Sequence, residues 1–136
     1  RSKMFVLERE NKFSHKMVVT DTLDIPCSEM CIQGDSLYFY SVEWNNQEER
    51  NNIAYGIINV RTRELITDHF ITDGTEKNIE IPYGINVNPA NGDIYVTDAK
   101  NYVSSGALHC YSREGKKKWS VRAGDIPAHM VFLFKK

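Results

Sequence analysis

Short apolar runs separated by turn residues fill most of the chain, and they are too short and too β-branched to be helices. The clearest are "SLYFYSV" (Ser36–Val42), "NIAYGIINV" (Asn52–Val60), "YGINV" (Tyr83–Val87), "DIYVTD" (Asp93–Asp98) and "GALHCYS" (Gly106–Ser112). Aromatic and β-branched residues of this kind favour strands. No stretch sustains the 3.6-residue period of an amphipathic helix. The pattern predicts an all-β protein.

The runs recur in a fixed order. Ile-Pro appears at Ile25-Pro26, Ile81-Pro82 and Ile126-Pro127, and the prolines lie 56 and 45 residues apart. Each Ile-Pro precedes an apolar segment: "CSEMCI", "YGINV" or "AHMVFLF". In the first two units a turn follows, Gly34-Asp35 or Asn91-Gly92. Asn-Gly is a strong hairpin signal when both turn residues take positive φ. Second, third and fourth strands then complete each unit, the fourth being "LITDHFI" or "KKWSVRA". The shorter repeat is that of a four-stranded propeller blade, about 40–50 residues. The longer one is accounted for by a polar insertion, Glu43–Asn52.

The inner strands read nearly apolar and the fourth strands carry charge. This gradient predicts sheets buried on both faces near their inner edge and wet at the outer edge. A β-sandwich has similar strand spacing, but the Ile-Pro repeat favours a partial β-propeller. Its expected parts are a half blade at residues 1–25, blades at 26–80 and 81–125, and a closing strand at 126–136. The phase of the repeat makes this the C-terminal portion of one propeller domain, with N-terminal blades or a second copy needed to close the ring.

Composition narrows the functional classes. The 136 residues carry 17 Lys and Arg against 18 Asp and Glu, which removes any electrostatic case for nucleic acid. The basic run Lys116–Lys118 is expected on a solvated edge strand, where lysine blocks further pairing. The longest wholly apolar run, Met130–Phe134, is too short to span a bilayer. Three cysteines, Cys27, Cys31 and Cys110, cannot form a fully paired set. Cys27 and Cys31 on one strand would stand about 13 Å apart, beyond disulfide reach. No zinc spacing, phosphate loop, GxSxG or HExxH sequence occurs.

The stretch Ile81–His129, "IPYGINVNPANGDIYVTDAKNYVSSGALHCYSREGKKKWSVRAGDIPAH", resembles the terminal blade of YncE-like, "surface layer protein"-type β-propellers of Bacteroidetes. That family is similar to the BtuG surface lipoproteins, which bind cobalamin. The resemblance implies a ring of about seven blades, secretion, and a surface or periplasmic location. "PYGINVNPANGDIYVTD" also resembles NHL-type and lactonase-type blades, so it speaks to architecture more than activity.

In such a fold the loops between second and third strands share an end with the connections between blades, and function gathers there. Those segments supply the candidate ligand-binding residues Trp44, Tyr83, Asp98, Lys100, Asn101, Tyr102 and His129, with Glu29, Asn45 and Asn46 nearby. Aromatic rings and amides suit a large amphipathic ligand. His15, His69 and His109 are expected away from this end. Asn86, Asn88 and Asp98 are oxygen donors of the kind a hard cation accepts. They come from one blade, however, so a metal-dependent lactonase-like hydrolase is the lesser expectation. The expected function is non-enzymatic, cofactor-free ligand capture outside the cytoplasm, the partner being a small molecule, with a corrinoid as one candidate, or an outer-membrane protein. A protein-interaction scaffold is the other alternative.

Overall fold

The computed structural model describes residues 4–11, 13, 16–101 and 105–123. Among these residues ten strands run in chain order: β1 (Met4–Arg9), β2 (Met17–Leu23), β3 (Glu29–Gln33), β4 (Ser36–Asn45), β5 (Arg50–Asn59), β6 (Leu65–Thr67), β7 (Pro82–Val87), β8 (Ile94–Asp98), β9 (Ala107–Tyr111) and β10 (Lys117–Arg122). The described residues contain no α-helix, only a 3-10 turn at Thr75–Asn78.

Every ladder is antiparallel, and the strands form three sheets: β1-β2, β3-β4-β5-β6 and β7-β8-β9-β10. The predicted second strands Leu37–Val42 and Ile94–Thr97 lie within β4 and β8. Each four-stranded sheet is a simple meander, as hairpin-length connections dictate. No closed sheet forms among the described residues.

The middle sheet packs on both faces, and strand alternation sorts its side chains. Tyr38, Tyr40, Tyr55 and Val42 meet Ile85, Val87, Ile94, Val96 and Tyr111 of the third sheet. Phe70, Ile71 and Ile79, from the segment joining the two sheets, seal this core. On the other face Phe39 and Ile58 meet Met4 and Leu23 of the two-stranded sheet. Phe39 lies opposite Gly56 in the ladder, and a Cβ on Gly56 would overlap its ring. Arg63 clamps the small sheet in place, its guanidinium 2.7 Å from Glu8 and 3.3 Å from Asp21.

Four expectations change. The polar segment Glu43–Asn52 is not a loop insertion: β4 and β5 pair through it, from Glu43↔Asn52 to Asn45↔Arg50. The long polar run alternates sides on a ladder that continues past the end of β3, where water can reach both faces. Second, the β7–β8 connection is not a two-residue Asn-Gly turn. Gly92 has φ 78, but Asn91 is not among the residues at positive φ. The loop spans Asn88 to Asp93, closed by Asn88 N–H to Asp93 O and Gly92 N–H to Asn88 O, each 2.8 Å. Asn88 Oδ1 also accepts the Ala90 N–H, so this side chain shapes the wider turn. Third, β3 is not buried on both faces: Met30 and Ile32 are 45% and 60% exposed. The two-stranded sheet covers β4 and β5 but stops short of β3. Fourth, the strand in "LITDHFI" is confined to Leu65–Thr67, after which the chain turns inward to bury Phe70 and Ile71.

The lysine run sits where expected. β10 is the outer strand of its sheet, and Lys118 lies 2.8 Å from Asp93. The three cysteines are free. Burial, then Glu29, pushes the Cys27 thiol up to about 11, and burial raises Cys110, which favours the thiol form of both at neutral pH.

Candidate functional site

Asp98 organises the loop-bearing end of the third sheet. It is fully buried at the end of β8, opposite Pro82. Its Oδ1 accepts the backbone N–H groups of Ile81 at 3.0 Å and Lys100 at 2.8 Å, and its Oδ2 accepts that of Glu80 at 3.1 Å. One carboxylate thus ties the connection between sheets to the β8–β9 loop. The Lys100 bond also fixes that residue at φ 52, a left-handed conformation that costs about 1–2 kcal/mol without local support.

Beside this knot lies a cavity of about 470 Å³. Asn78 of the 3-10 turn, Lys100 and Ser105 of the β8–β9 loop, His109 of β9, and Ser120 and Arg122 of β10 line it. The register explains the grouping. Ser120 pairs with His109 and Arg122 with Ala107, so these side chains share the sheet face that looks toward the middle sheet. Arg122 Nη2 donates to Ser105 Oγ at 3.1 Å. His109 is 5% exposed, and neither ring nitrogen has a hydrogen-bond partner among the described residues. Burial lowers its pKa most; Lys117 lowers it further, Asp98 opposes and Lys100 adds to the fall. The imidazole is therefore neutral at pH 7, one nitrogen a donor and the other an acceptor.

Of the sequence-predicted set, Lys100 lines the cavity. Asp98 does not reach solvent and acts on the loop backbone. Tyr83 is half-buried at the irregularity between Pro82 and Gly84. Asn101 is exposed in the β8–β9 loop. Trp44 is 60% exposed near the tip of the β4–β5 ladder. Tyr102 and His129 lie outside the described residues, as does the predicted closing strand. His109 is the correction: expected away from this end, it belongs to the cavity, because the two-residue strand period carries it back under the loop from Ala107. Arg122, Ser105, Ser120 and Asn78 were not singled out. The pairing of "ALHCY" with "KKWSVR" was the signal that could have found Ser120 and Arg122.

The oxygen donors considered for a metal do not converge. Asn86 Oδ1 accepts from the Val87 N–H and the Cys31 thiol, at 2.9 and 3.1 Å. Asn88 and Asp98 stand at opposite ends of the β7–β8 ladder. No cluster of metal-ligating side chains occurs among the described residues, and no described helix is long and apolar enough to cross a membrane.

No protein-family model matches the chain, and no curated protein matches it either.

Proposed function

We propose that this chain is part of an extracytoplasmic β-propeller that captures a small molecule at the loop-bearing end of its sheets. The carrying observation is the polar cavity built where the β8–β9 loop meets the connection between sheets, held by Asp98. Three stacked antiparallel sheets, two of them four-stranded meanders, support the blade reading. Trp44 near the end of the long β4–β5 ladder adds exposed aromatic surface for an amphipathic ligand, and a corrinoid is the first to test. The separation of Asn88 from Asp98 weighs against the metal-dependent lactonase reading.

Calorimetric titration with cobalamin and cobinamide, beside a lactone-hydrolysis assay, tests this. Saturable binding with no hydrolysis supports capture. Metal-dependent turnover without binding would replace it with the enzymatic reading. Neither binding nor turnover, in a folded protein carrying any adjoining blades, would remove the ligand assignment.

A further inference from the structure

The cavity has more positive charge around it than its own residues neutralise. Lys100 and Arg122 line it, and Lys117 is close enough to His109 to depress its basicity. Neither lining cation enters an ion pair among the described residues. Asp98, the carboxylate that acts on the His109 ring, lies beneath the surface and already accepts three backbone N–H groups. The polar lining otherwise consists of hydroxyls and an amide: Ser105, Ser120 and Asn78.

His109 supplies the second, independent observation. A buried imidazole with neither nitrogen bonded among the described residues forfeits the hydrogen bonds that water gave both of them. Such groups in native proteins call for a water, an ion or a ligand. Its ring lines the cavity with both nitrogens closed to solvent, so a guest there becomes a partner when the ring turns toward it. A neutral imidazole repels an anion no more than a hydroxyl does, and its N–H donates.

We propose that this cavity binds a small oxyanion, the carboxylate or phosphate group of a ligand, between Lys100 and Arg122 with His109 as its floor. Planar Arg122, positioned by Ser105, presents a fork of donors suited to two oxygens of the guest. Lys100 adds a point charge from a backbone position that Asp98 holds fixed. Ser120 and Asn78 complete the donor set. The inference rests on the ligand-capture reading and names the chemistry that its polar end would recognise.

The test follows the His109 ring resonances by NMR while inorganic phosphate, or acetate, is added at constant ionic strength. Saturable shifts are expected in the millimolar range or below, with each of Arg122→Gln and Lys100→Gln weakening binding about tenfold or more, the scale of a lost charge-assisted hydrogen bond. Backbone spectra check that both variants remain folded. Tighter acetate binding would identify a carboxylate guest and tighter phosphate binding a phosphoryl one. Absent or linear shifts, shifts reproduced by chloride, or a wild-type affinity retained by both variants would overturn the proposal. Corrinoid binding with phosphate and acetate silent would sink this inference alone. Oxyanion binding without any corrinoid would keep it and discard the larger ligand.

Discussion

The two interfaces of the middle sheet are made from the same kinds of strand yet differ sharply in burial. Toward the third sheet, Ile85, Val87, Ile94 and Val96 are 7%, 2%, 1% and 0% exposed. Toward the two-stranded sheet, Phe39 and Ile58 are sealed, but Met30 and Ile32 on the same face remain open. Composition does not separate the two faces. The number of strands opposite them does: among the described residues, four on one side and two on the other. Beside the open residues runs an apolar cleft of about 580 Å³, bounded by the β1 edge, Leu37 and Ile58. Apolar patterning thus marks where a strand expects cover, and stacking decides whether the cover arrives.

The largest expected effect breaks this comparison at its sealed side. Tyr111→Ala should cost about 4 kcal/mol, the scale of an aromatic truncation in a tight core. Ile32→Ala on the open side should stay within about 0.5 kcal/mol, as surface changes do. Urea denaturation of both variants measures the contrast. Equal losses would mean that the open face is covered in solution.

Asp98→Ala comes next. It strands the part-buried N–H donors of Glu80, Ile81 and Lys100 and releases Lys100 from its left-handed turn. A loss of about 3 kcal/mol is expected, the scale of charge-assisted hydrogen bonds left unmade. Adding Lys100→Gly should recover part of it, since glycine takes φ 52 freely. Thermal melts of the single and double variants test this. No recovery would mean that the carboxylate serves the connection between sheets alone.

Much of this architecture was legible because strand identity is a local property. "SLYFYSV" and "IYVTD" form β4 and β8 through aromatic and β-branched composition alone. The ends of elements were less legible. Nothing local distinguishes "EWNNQEERNN" as ladder from loop, since an outlying two-stranded ribbon is wet on both faces and can be polar throughout. The site divides the same way. Lys100 was visible from its place in a polar loop after a strand. His109 and Arg122 were hidden because their meeting depends on the β9–β10 register, which an irregularity between Lys117 and Trp119 shifts.

A smaller effect sharpens the meaning of the open face. Among the described residues the β1 edge pairs only with β2, and Phe5 and Leu7 on it are 62% and 52% exposed. An unpaired apolar edge is a template for association. Sedimentation velocity should show concentration-dependent self-association, reduced in the Met30→Lys, Ile32→Lys double variant, while the melting midpoint changes little. A monomer at all concentrations would show that the exposed face does not recruit a second copy.

The smallest effect is the pH response of His109. Its folded pKa lies below the ordinary value of 6.5, with burial as the main cause. The unfolded chain therefore takes up this proton more readily than the folded one. Stability from this group is complete above about pH 6.5 and is lost as the pH falls toward the folded pKa. Lys117 and Lys100 deepen the loss, and Asp98 limits it. Melting midpoints measured between about pH 7 and 5 should fall more steeply in the wild type than in His109→Gln, whose amide does not titrate. The buffer ion sharpens the reading. With a bound oxyanion a protonated imidazole gains a partner, so the wild-type slope should flatten in phosphate relative to chloride, while the slope of His109→Gln should not. Identical slopes for the two proteins in chloride would show that His109 titrates alike in the folded and unfolded chains, and its burial would then carry no electrostatic consequence.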